Sequence, residues 1–434
     1  MDPTATSPTA ALGGSAPPAI HAFRVDIVRG PDAGLVTRAD GERLVVGTHR
    51  SADLILTDRT VSRFHCELVI DGDALQLRDL GSRNGTVIDN VEVEAVRLRG
   101  PSIITLGGTE IRVDVLAETV ELELAPQERF GQLVGISAPM RQAFARLQKA
   151  AERSSNVLIE GEPGTGKDAA AAALHEASAR ANRPLDVVDC GGAVLEVEAE
   201  LFGRRDRAGA LERCRGGTLV LDDVGALSSG TQRTLVRAIE SRQVRRVGTD
   251  QAIDIDVRLI ALSRRNLRVE VNAERFREDL FQLLAVLPVR LPPLRERAED
   301  LPLLVSHALE QLDARDRRAG ARLLAAESIE RLRQAPWPGN VRELRASIER
   351  AVAADGNDPD RPPELDAPLI DGSIPLRDAR KRWVRYFERT YLRDLVARTG
   401  GNVSAAAIMA GVDRVHLHRL ITRCGLRGEL PQDE

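Results

Sequence analysis

The sequence has few cysteines. Four occur in 434 residues (Cys66, Cys190, Cys214 and Cys424), far apart and without paired metal-ligand spacing. A reduced, cytoplasmic setting is the simpler reading of that pattern. No apolar run approaches the length of a membrane span, so no membrane partner is expected. Residues 1–20 lack the basic start and apolar core of a secretory signal. Their Pro, Ala and Thr instead suggest a disordered tail. There is no repeat of solenoid period. A net charge of -4 carries no whole-chain signal for nucleic acid. What remains, 43% hydrophobic and 29% charged residues, describes a globular chain of two to four domains.

The chain is organised around Gly161-Glu162-Pro163-Gly164-Thr165-Gly166-Lys167-Asp168. The apolar run Val157-Leu-Ile before it reads as a buried strand. The Ala-rich run Asp168–Ala179 after it reads as a helix. Strand, glycine loop and helix form the context of a phosphate-binding loop. Glycines let backbone N–H groups turn toward a phosphate, Lys167 supplies a point charge, and the helix start adds its positive dipole end. Asp168 stands where a Ser or Thr is expected to hold magnesium, and a carboxylate can hold the metal directly or through water. Further on, Gly216-Gly-Thr-Leu-Val-Leu-Asp222-Asp223 is a strand ending in two acids. That fits Asp222 for magnesium and Asp223 for orienting an attacking water. The strands at 184–190 and 257–262 alternate with helices, which predicts a parallel sheet covered on both faces.

From Phe23 to Val115, short apolar runs broken by Gly, Asp and Asn predict a β-sandwich. Examples are 43–46, 54–56, 67–70, 75–77 and 110–115. Three loop clusters interrupt them: Gly47-Thr-His-Arg50, Ser62-Arg63-Phe-His65, and Asn84-Gly-Thr86. These resemble the forkhead-associated (FHA) domain in order and spacing. The resemblance implies phosphothreonine-peptide binding by loops at one end of the sandwich. Ser62 and Arg63 would hold the phosphate through charge-assisted bonds and Asn84 the ligand backbone. His65 is expected to be structural. The family's phosphate-binding Arg usually follows the glycine, where this chain has Thr48, and Arg50 is the candidate replacement.

The loop at 161–168, Glu-Leu-Phe-Gly203, Gly-Gly-Thr-Leu-Val-Leu-Asp-Asp223, Phe-Arg-Glu-Asp-Leu280, Leu-Pro-Pro-Leu-Arg-Glu-Arg297 and Trp-Pro-Gly-Asn-Val-Arg-Glu-Leu344 occur in order. Together they resemble the AAA+ domain of sigma-54-dependent transcriptional activators. The resemblance implies binding of ATP with Mg2+, a homo-oligomer from dimer to hexameric ring, and action on sigma-54 RNA polymerase. Arg342 falls at the sensor II position and Arg277 at the first of two arginine-finger positions.

Four departures qualify those expectations. The family carries a long GAFTGA-containing stretch after Phe-Gly203, the part that touches sigma-54. Here only Arg204–Ala208 precedes the next helix. Asp223 replaces Glu. The sensor I Asn is Arg264, unless Asn266 fills the role through a register shift. The second finger position is Leu283. An arginine finger is worth about 10³–10⁵ in rate and a misplaced group about 10². Nucleotide binding is therefore expected, and vigorous hydrolysis and direct sigma-54 contact are not.

Residues 376–427 hold twelve Lys/Arg and four Asp/Glu, a local net of +8 (12 − 4). That is the electrostatic footprint of nucleic-acid binding. Trp383, Phe387, Tyr391 and Leu395 lie at helical spacing and suggest a packing stripe. Asn402 and Asp413 can cap two short helices joined at Gly411. This pattern resembles the Fis-type helix-turn-helix. Arg414, His416, His418 and Arg419 would then contact DNA from the second helix.

The expected organisation is multidomain: a tail at 1–20, an all-β FHA sandwich at 21–118, and a linker at 119–131. An α/β AAA+ P-loop subdomain at 132–294 and a helical lid at 295–354 follow. A linker at 355–372, an all-α helix-turn-helix at 373–427 and a tail at 428–434 complete the chain. A DNA-bound regulator that senses a phosphothreonine protein is the leading reading. A working remodelling ATPase at sigma-54 promoters and a signalling scaffold are the alternatives.

Overall fold

The computed structural model describes residues 19–39, 43–71 and 74–354. Beyond them it describes 391–392, 395, 399, 403–410, 412, 417 and 420. The chain divides into two compact units. One runs through Asp300 and includes Gly339–Val341, and the other comprises Leu301–Pro338 and the residues from Arg342 onward.

The first unit opens with β1 (Ala19–Arg29), β2 (Val36–Ala39), β3 (Arg43–Gly47), β4 (Leu54–Ile55), β5 (Cys66–Asp71) and β6 (Ala74–Asp79). Then come β7 (Thr86–Ile88), β8 (Val91–Glu92), β9 (Ala95–Leu98), β10 (Ser102–Leu106) and β11 (Thr109–Glu121). They form two sheets, in the orders β2-β1-β11-β10-β7-β8 and β4-β3-β5-β6-β9. Alternate residues face the shared core: Phe23, Val25 and Ile27 from β1, Leu75 and Leu77 from β6, Ile111 and Val113 from β11. This is the sandwich that the short apolar runs predict. Two expected boundaries move. β1 and β11 pair out to Ala19 and Glu121, so strand pairing reaches two residues into the expected disordered tail and three into the expected linker. The acid–apolar alternation there serves strand pairing, with Val120 opposite Ile20. Gly47 closes the loop end of β3. A Cβ there would sit 2.0 Å from the Arg63 carbonyl oxygen, so only glycine lets the two loops meet.

The same unit continues through a hairpin, β12 (Arg129–Phe130) and β13 (Leu133–Val134), into α1 (Ala138–Ala151), β14 (Val157–Glu160), α2 (Lys167–Glu176) and β15 (Leu185–Asp189). After α3 (Val194–Phe202) come a second hairpin, β16 (Gly203–Arg204) and β17 (Arg207–Ala208), then α4 (Ala210–Arg213) and β18 (Thr218–Asp222). The remainder is α5 (Ser229–Ser241), β19 (Gln243–Arg245), β20 (Ala252–Asp254), β21 (Arg258–Ser263), α6 (Leu267–Asn272), α7 (Glu278–Leu284) and β22 (Leu287–Arg290). Five strands make one parallel sheet in the order β15-β18-β21-β14-β22. The central strands β14 and β21 are buried along their whole length, as a sheet covered on both faces requires. Val157 and Ile159 point toward α1 and α2, and Leu158 toward the core that holds α3, α5 and α7.

In the second unit, α8 (Leu301–Glu310), α9 (Ala314–Gly320), α10 (Ala326–Gln334) and α11 (Asn340–Ala354) follow one another. Their buried faces carry Leu304, Val305, Ile329, Leu332, Leu344 and Ile348. The Trp337 indole is buried and donates to the Leu332 carbonyl at 2.7 Å. α12 (Val403–Ala410) packs Ala406 and Ala407 against Leu392, Leu395 and Leu417. In the expected aromatic stripe, Leu395 is buried and Tyr391 is 44% exposed, while Trp383 and Phe387 lie outside the described residues. Among the described residues, no helix is long and apolar enough to cross a membrane.

Candidate functional site

The glycine loop follows the buried strand β14 and opens α2, whose first residue is Lys167. Its backbone is held from several sides. The Gly161 N–H donates to the Ser263 carbonyl on β21. Thr165 Oγ1 donates to the Glu162 carbonyl at 2.9 Å. Gly166 precedes the helix at φ 104°, a conformation that glycine adopts without strain. Lys167 is 7% exposed, and its Nζ donates to the Gly161 and Glu162 carbonyls at 2.8 and 3.0 Å. Burial lowers its pKa, while the carboxylates of Asp168, Asp222 and Asp223 pull the other way. The amine therefore sits in the loop mouth beside three acids. Asp168 lies in the first turn of α2, exposed, and Asp222 ends β18. Burial first, and then the charge of Asp168, raises the Asp222 carboxyl above its ordinary range.

Asp223 leaves the strand in the left-handed region, at φ 52°. Its Oδ1 is buried without a hydrogen-bond partner among the described residues, and its Oδ2 lies 3.7 Å from the Arg264 guanidinium. The Asn266 side chain accepts the Arg268 N–H as the cap of α6 at 3.0 Å. Arg264, not Asn266, is thus the side chain at Asp223. The Arg277 guanidinium is committed to both Asp279 oxygens at 3.0 and 2.6 Å. Leu283 packs against the apolar core.

Three residues around the loop carry no role in the sequence reading. Arg295 forks onto both Glu162 oxygens at 2.8 and 2.6 Å, which holds that carboxyl below its ordinary range. Arg297 is buried and donates to the Thr165 carbonyl at 3.1 Å, and burial lowers its pKa to about 10. Asn340, at φ 52°, donates to the Pro163 carbonyl, and the Val341 N–H donates to the Gly164 carbonyl at 3.0 Å. All three lie within the quoted motifs ending at Arg297 and Leu344, so their only signal was motif membership. Arg342 is exposed on α11.

These residues fit a nucleotide with its cation. A lysine satisfied only by loop carbonyls, an acid oxygen buried without a partner and two mutually repelling carboxylates are what phosphate and a divalent ion would complete. Among the described residues no three His, Cys, Asp or Glu side chains group to hold a metal. Magnesium taken through one or two carboxylates plus substrate phosphates needs no such group.

Where the resemblance places a sigma-contacting loop, β16 and β17 pair directly, with only Arg205 and Asp206 at the turn. A Cβ at Gly209 would lie 2.3 Å from the Gly203 N, so the close approach at the base of this hairpin requires glycine.

At the sandwich end, the four expected phosphopeptide residues do not share one fate. His65 is fully buried: its Nδ1 accepts the Ser62 N–H and its Nε2 donates to the Gly85 carbonyl, the structural role expected of it. Ser62 Oγ accepts the Arg83 N–H at 2.9 Å. The Asn84 amide donates to the Thr60 carbonyl at 2.7 Å. Arg50 is exposed. Arg63 reaches away from the sandwich: its Nη1 donates to the Val271 carbonyl at 3.0 Å and its Nε lies 3.2 Å from Glu278. The DNA-facing candidates Arg414, His416, His418 and Arg419 lie outside the described residues, as do the cap positions Asn402 and Asp413. Cys66, Cys190 and Cys214 are buried thiols. Burial pushes Cys190 up to about 12 and Cys214 up to about 11 and raises Cys66 as well, so none of the three reads as a nucleophile.

Comparison with known proteins agrees with the motif order. Residues 133–290 match the model of the sigma-54 interaction domain and 295–368 that of an AAA+ ATPase lid domain. Residues 26–115 match the cytoplasmic domain of an inner membrane component of the type III secretion system. Nitrogen assimilation regulatory protein NtrX of Azorhizobium caulinodans is 36% identical over 318 residues, covering 68% of this chain and 69% of that protein. Transcriptional regulatory protein ZraR of Escherichia coli strain K12 is 37% identical over 307 residues, again covering 68% and 69%. A solved structure described as part of a study of phosphothreonine-dependent FHA domain interactions is 29% identical, covers 22% of this chain and 99% of its own, and has a TM-score of 0.21. With that identity and coverage, the chain belongs to the family of transcriptional regulators that carry the sigma-54 interaction domain.

Proposed function

We propose that the chain is a cytoplasmic, nucleotide-binding, DNA-bound transcription regulator that does not itself open sigma-54 promoters by a projecting loop. The observation that carries this reading is the β16–β17 hairpin. Five residues reach roughly 17 Å when extended, and a loop that goes out and returns projects about half of that. Its turn is Arg205 and Asp206, with no aromatic or small side chain to pack on a partner.

Nucleotide binding is assigned to the 161–168 loop. Lys167 faces the phosphates, Asp168 and Asp222 would hold magnesium, and Arg342 is assigned to the lid side of the nucleotide. Bound magnesium would neutralise phosphate charge. Hydrolysis is assigned a slow rate because Arg264 takes Asp223, the acid that would orient water, and because Leu283 replaces one finger. Arg277 remains as a finger for a neighbouring subunit in a ring. The sandwich is read as an FHA domain that binds a phosphothreonine protein through Ser62, Arg63, Asn84 and Arg50. DNA contact is assigned to 373–427 through Arg414, His416, His418 and Arg419, on the basis of the local +8 charge.

The test is reconstituted transcription with sigma-54 polymerase, cognate DNA and ATP. No open complex is expected from this protein alone, and robust ATP-dependent opening would overturn the reading.

A further inference from the structure

The sandwich and the parallel-sheet domain share a continuous apolar core. Val45, Ala52, Phe64 and Leu80 pack in one cluster with Val271, Phe281 and Leu284. The Phe64 and Phe281 rings meet edge to face at 5.3 Å, and the buried Arg268 guanidinium lies 5.7 and 5.5 Å from the two ring centres. Asn272 donates to the Phe64 and Leu80 carbonyls and accepts the Phe64 N–H. The loop that bears the recognition residues is therefore seated on α6 and α7. At the rim the Glu278 carboxylate takes one group from each of two sandwich loops, Arg63 Nε at 3.2 Å and His49 Nε2 at 3.1 Å.

We propose that Glu278, at the start of α7, is an intramolecular stand-in for phosphate on Arg63, and that a phosphothreonine peptide must displace it to bind. This rests on the reading of the sandwich as a phosphopeptide receptor. Charge supports displacement over simple addition. A cavity of about 430 Å³ beside the contact is lined by Arg63 and Arg277 and by three acids, Glu274, Glu278 and Asp279. A phosphate dianion entering beside three carboxylates and two arginines would be repelled. Exchanged for Glu278, it gains a charge-assisted bond at Arg63. Glu278 is the residue after Arg277, so displacement is felt at the arginine-finger position. The apolar contact of Phe64 with Phe281 does not depend on the exchange, so the sandwich stays seated while the rim opens.

The experiment uses the full chain with a degenerate phosphothreonine peptide library and its unphosphorylated counterpart, read by fluorescence anisotropy. Glu278→Gln keeps the side-chain shape and removes the competing charge. It is expected to bind the phosphorylated pool about two- to fivefold more tightly than wild type, the range of a half-exposed ion pair. Arg63→Ala is expected to lose the preference for phosphate. In wild type, hydrogen exchange at 277–282 should quicken with the phosphorylated pool and not with the plain one. A preserved phosphate preference with equal affinity in wild type and Glu278→Gln, and no change in exchange, would overturn the stand-in role while leaving the receptor reading intact. Equal binding of the two pools in wild type and Glu278→Gln would overturn both.

Discussion

Replacing Lys167 by Ala tests the nucleotide site most directly. The ammonium is satisfied by the Gly161 and Glu162 carbonyls, so phosphate must draw it from two existing bonds. A charge-assisted hydrogen bond is worth about 1.5–3 kcal/mol net. Two such bonds to phosphate oxygens, taken at the low end of that range, are worth about 3 kcal/mol, or roughly a hundredfold in affinity. The fold should tolerate the change better than the ligand does. Burial lowers the lysine's pKa, so its charge is held against a desolvation penalty that Ala removes. Calorimetric titration of ATP with magnesium into wild type and Lys167→Ala, alongside thermal melts, separates the two effects. Affinity should fall at least about a hundredfold with little change in melting temperature. Unchanged affinity in a folded variant would refute the phosphate-binding assignment of the loop.

Truncation at Asp371 should abolish DNA binding in gel shifts, and Arg414→Ala and Arg419→Ala should each weaken it. A phosphate contact would reduce the salt slope by about one, and a base contact would relax specificity at one position. Stability should also fall on mild acidification. Burial is the largest cause that lowers the pKa of both His49 and His65 below 6.5 in the folded chain. The unfolded chain therefore binds more protons below that value. Their contribution is full above about pH 6.5 and is lost as pH falls through it, before carboxylates such as Asp58 (ordinary value 3.8) titrate. Urea midpoints at pH 7.5 and 5.5 check this, and equal midpoints would contradict it. Arg264→Asn should raise ATP turnover by about tenfold to a hundredfold by freeing Asp223. A phosphate-release assay with no increase would show that Arg264 is not the brake.

Much of the fold was legible because period decides it. The short apolar run at 67–70 and the two-residue alternation at 75–77 and 110–115 become sandwich strands, and the unbroken apolar runs at 157–159 and 259–262 become strands buried on both faces. The glycine loop was legible because its residue types are dictated by backbone conformation. What sequence could not show is which charge meets which. Arg63 reads as a phosphate ligand from its loop, yet it reaches Glu278, 215 positions on (278 − 63). Asn266 had an open claim on the sensor position until its cap bond to Arg268 removed it. Arg295, Arg297 and Asn340 were visible only as letters in motifs, because their partners are carbonyls and a glutamate more than 130 positions away. The boundary at 119 missed three residues because strand pairing extended an alternation too short to read as a strand by itself.

Three arginines at positions singled out in the sequence are each held by a carboxylate: Arg63 by Glu278, Arg264 by Asp223, and Arg277 by Asp279. Each of these arginine side chains is roughly 40–50% exposed. Pairs in such surroundings contribute about 0–1 kcal/mol, far less than the apolar seat of Phe64 and Phe281 beneath them. The arrangement is thus held in position by packing and in charge by weak pairs, and on the proposed reading a phosphate would capture Arg63 without unpacking a domain. Salt should reveal this division. At about 1 M the Debye length falls to about 3 Å, close to the separation of these pairs. Hydrogen exchange at 277–279 and at 264 should then quicken, while the buried segment 267–272 keeps its protection. Simultaneous loss of protection across 267–284 and the sandwich loop 61–65 would show that the charges, not the apolar seat, hold the two domains together.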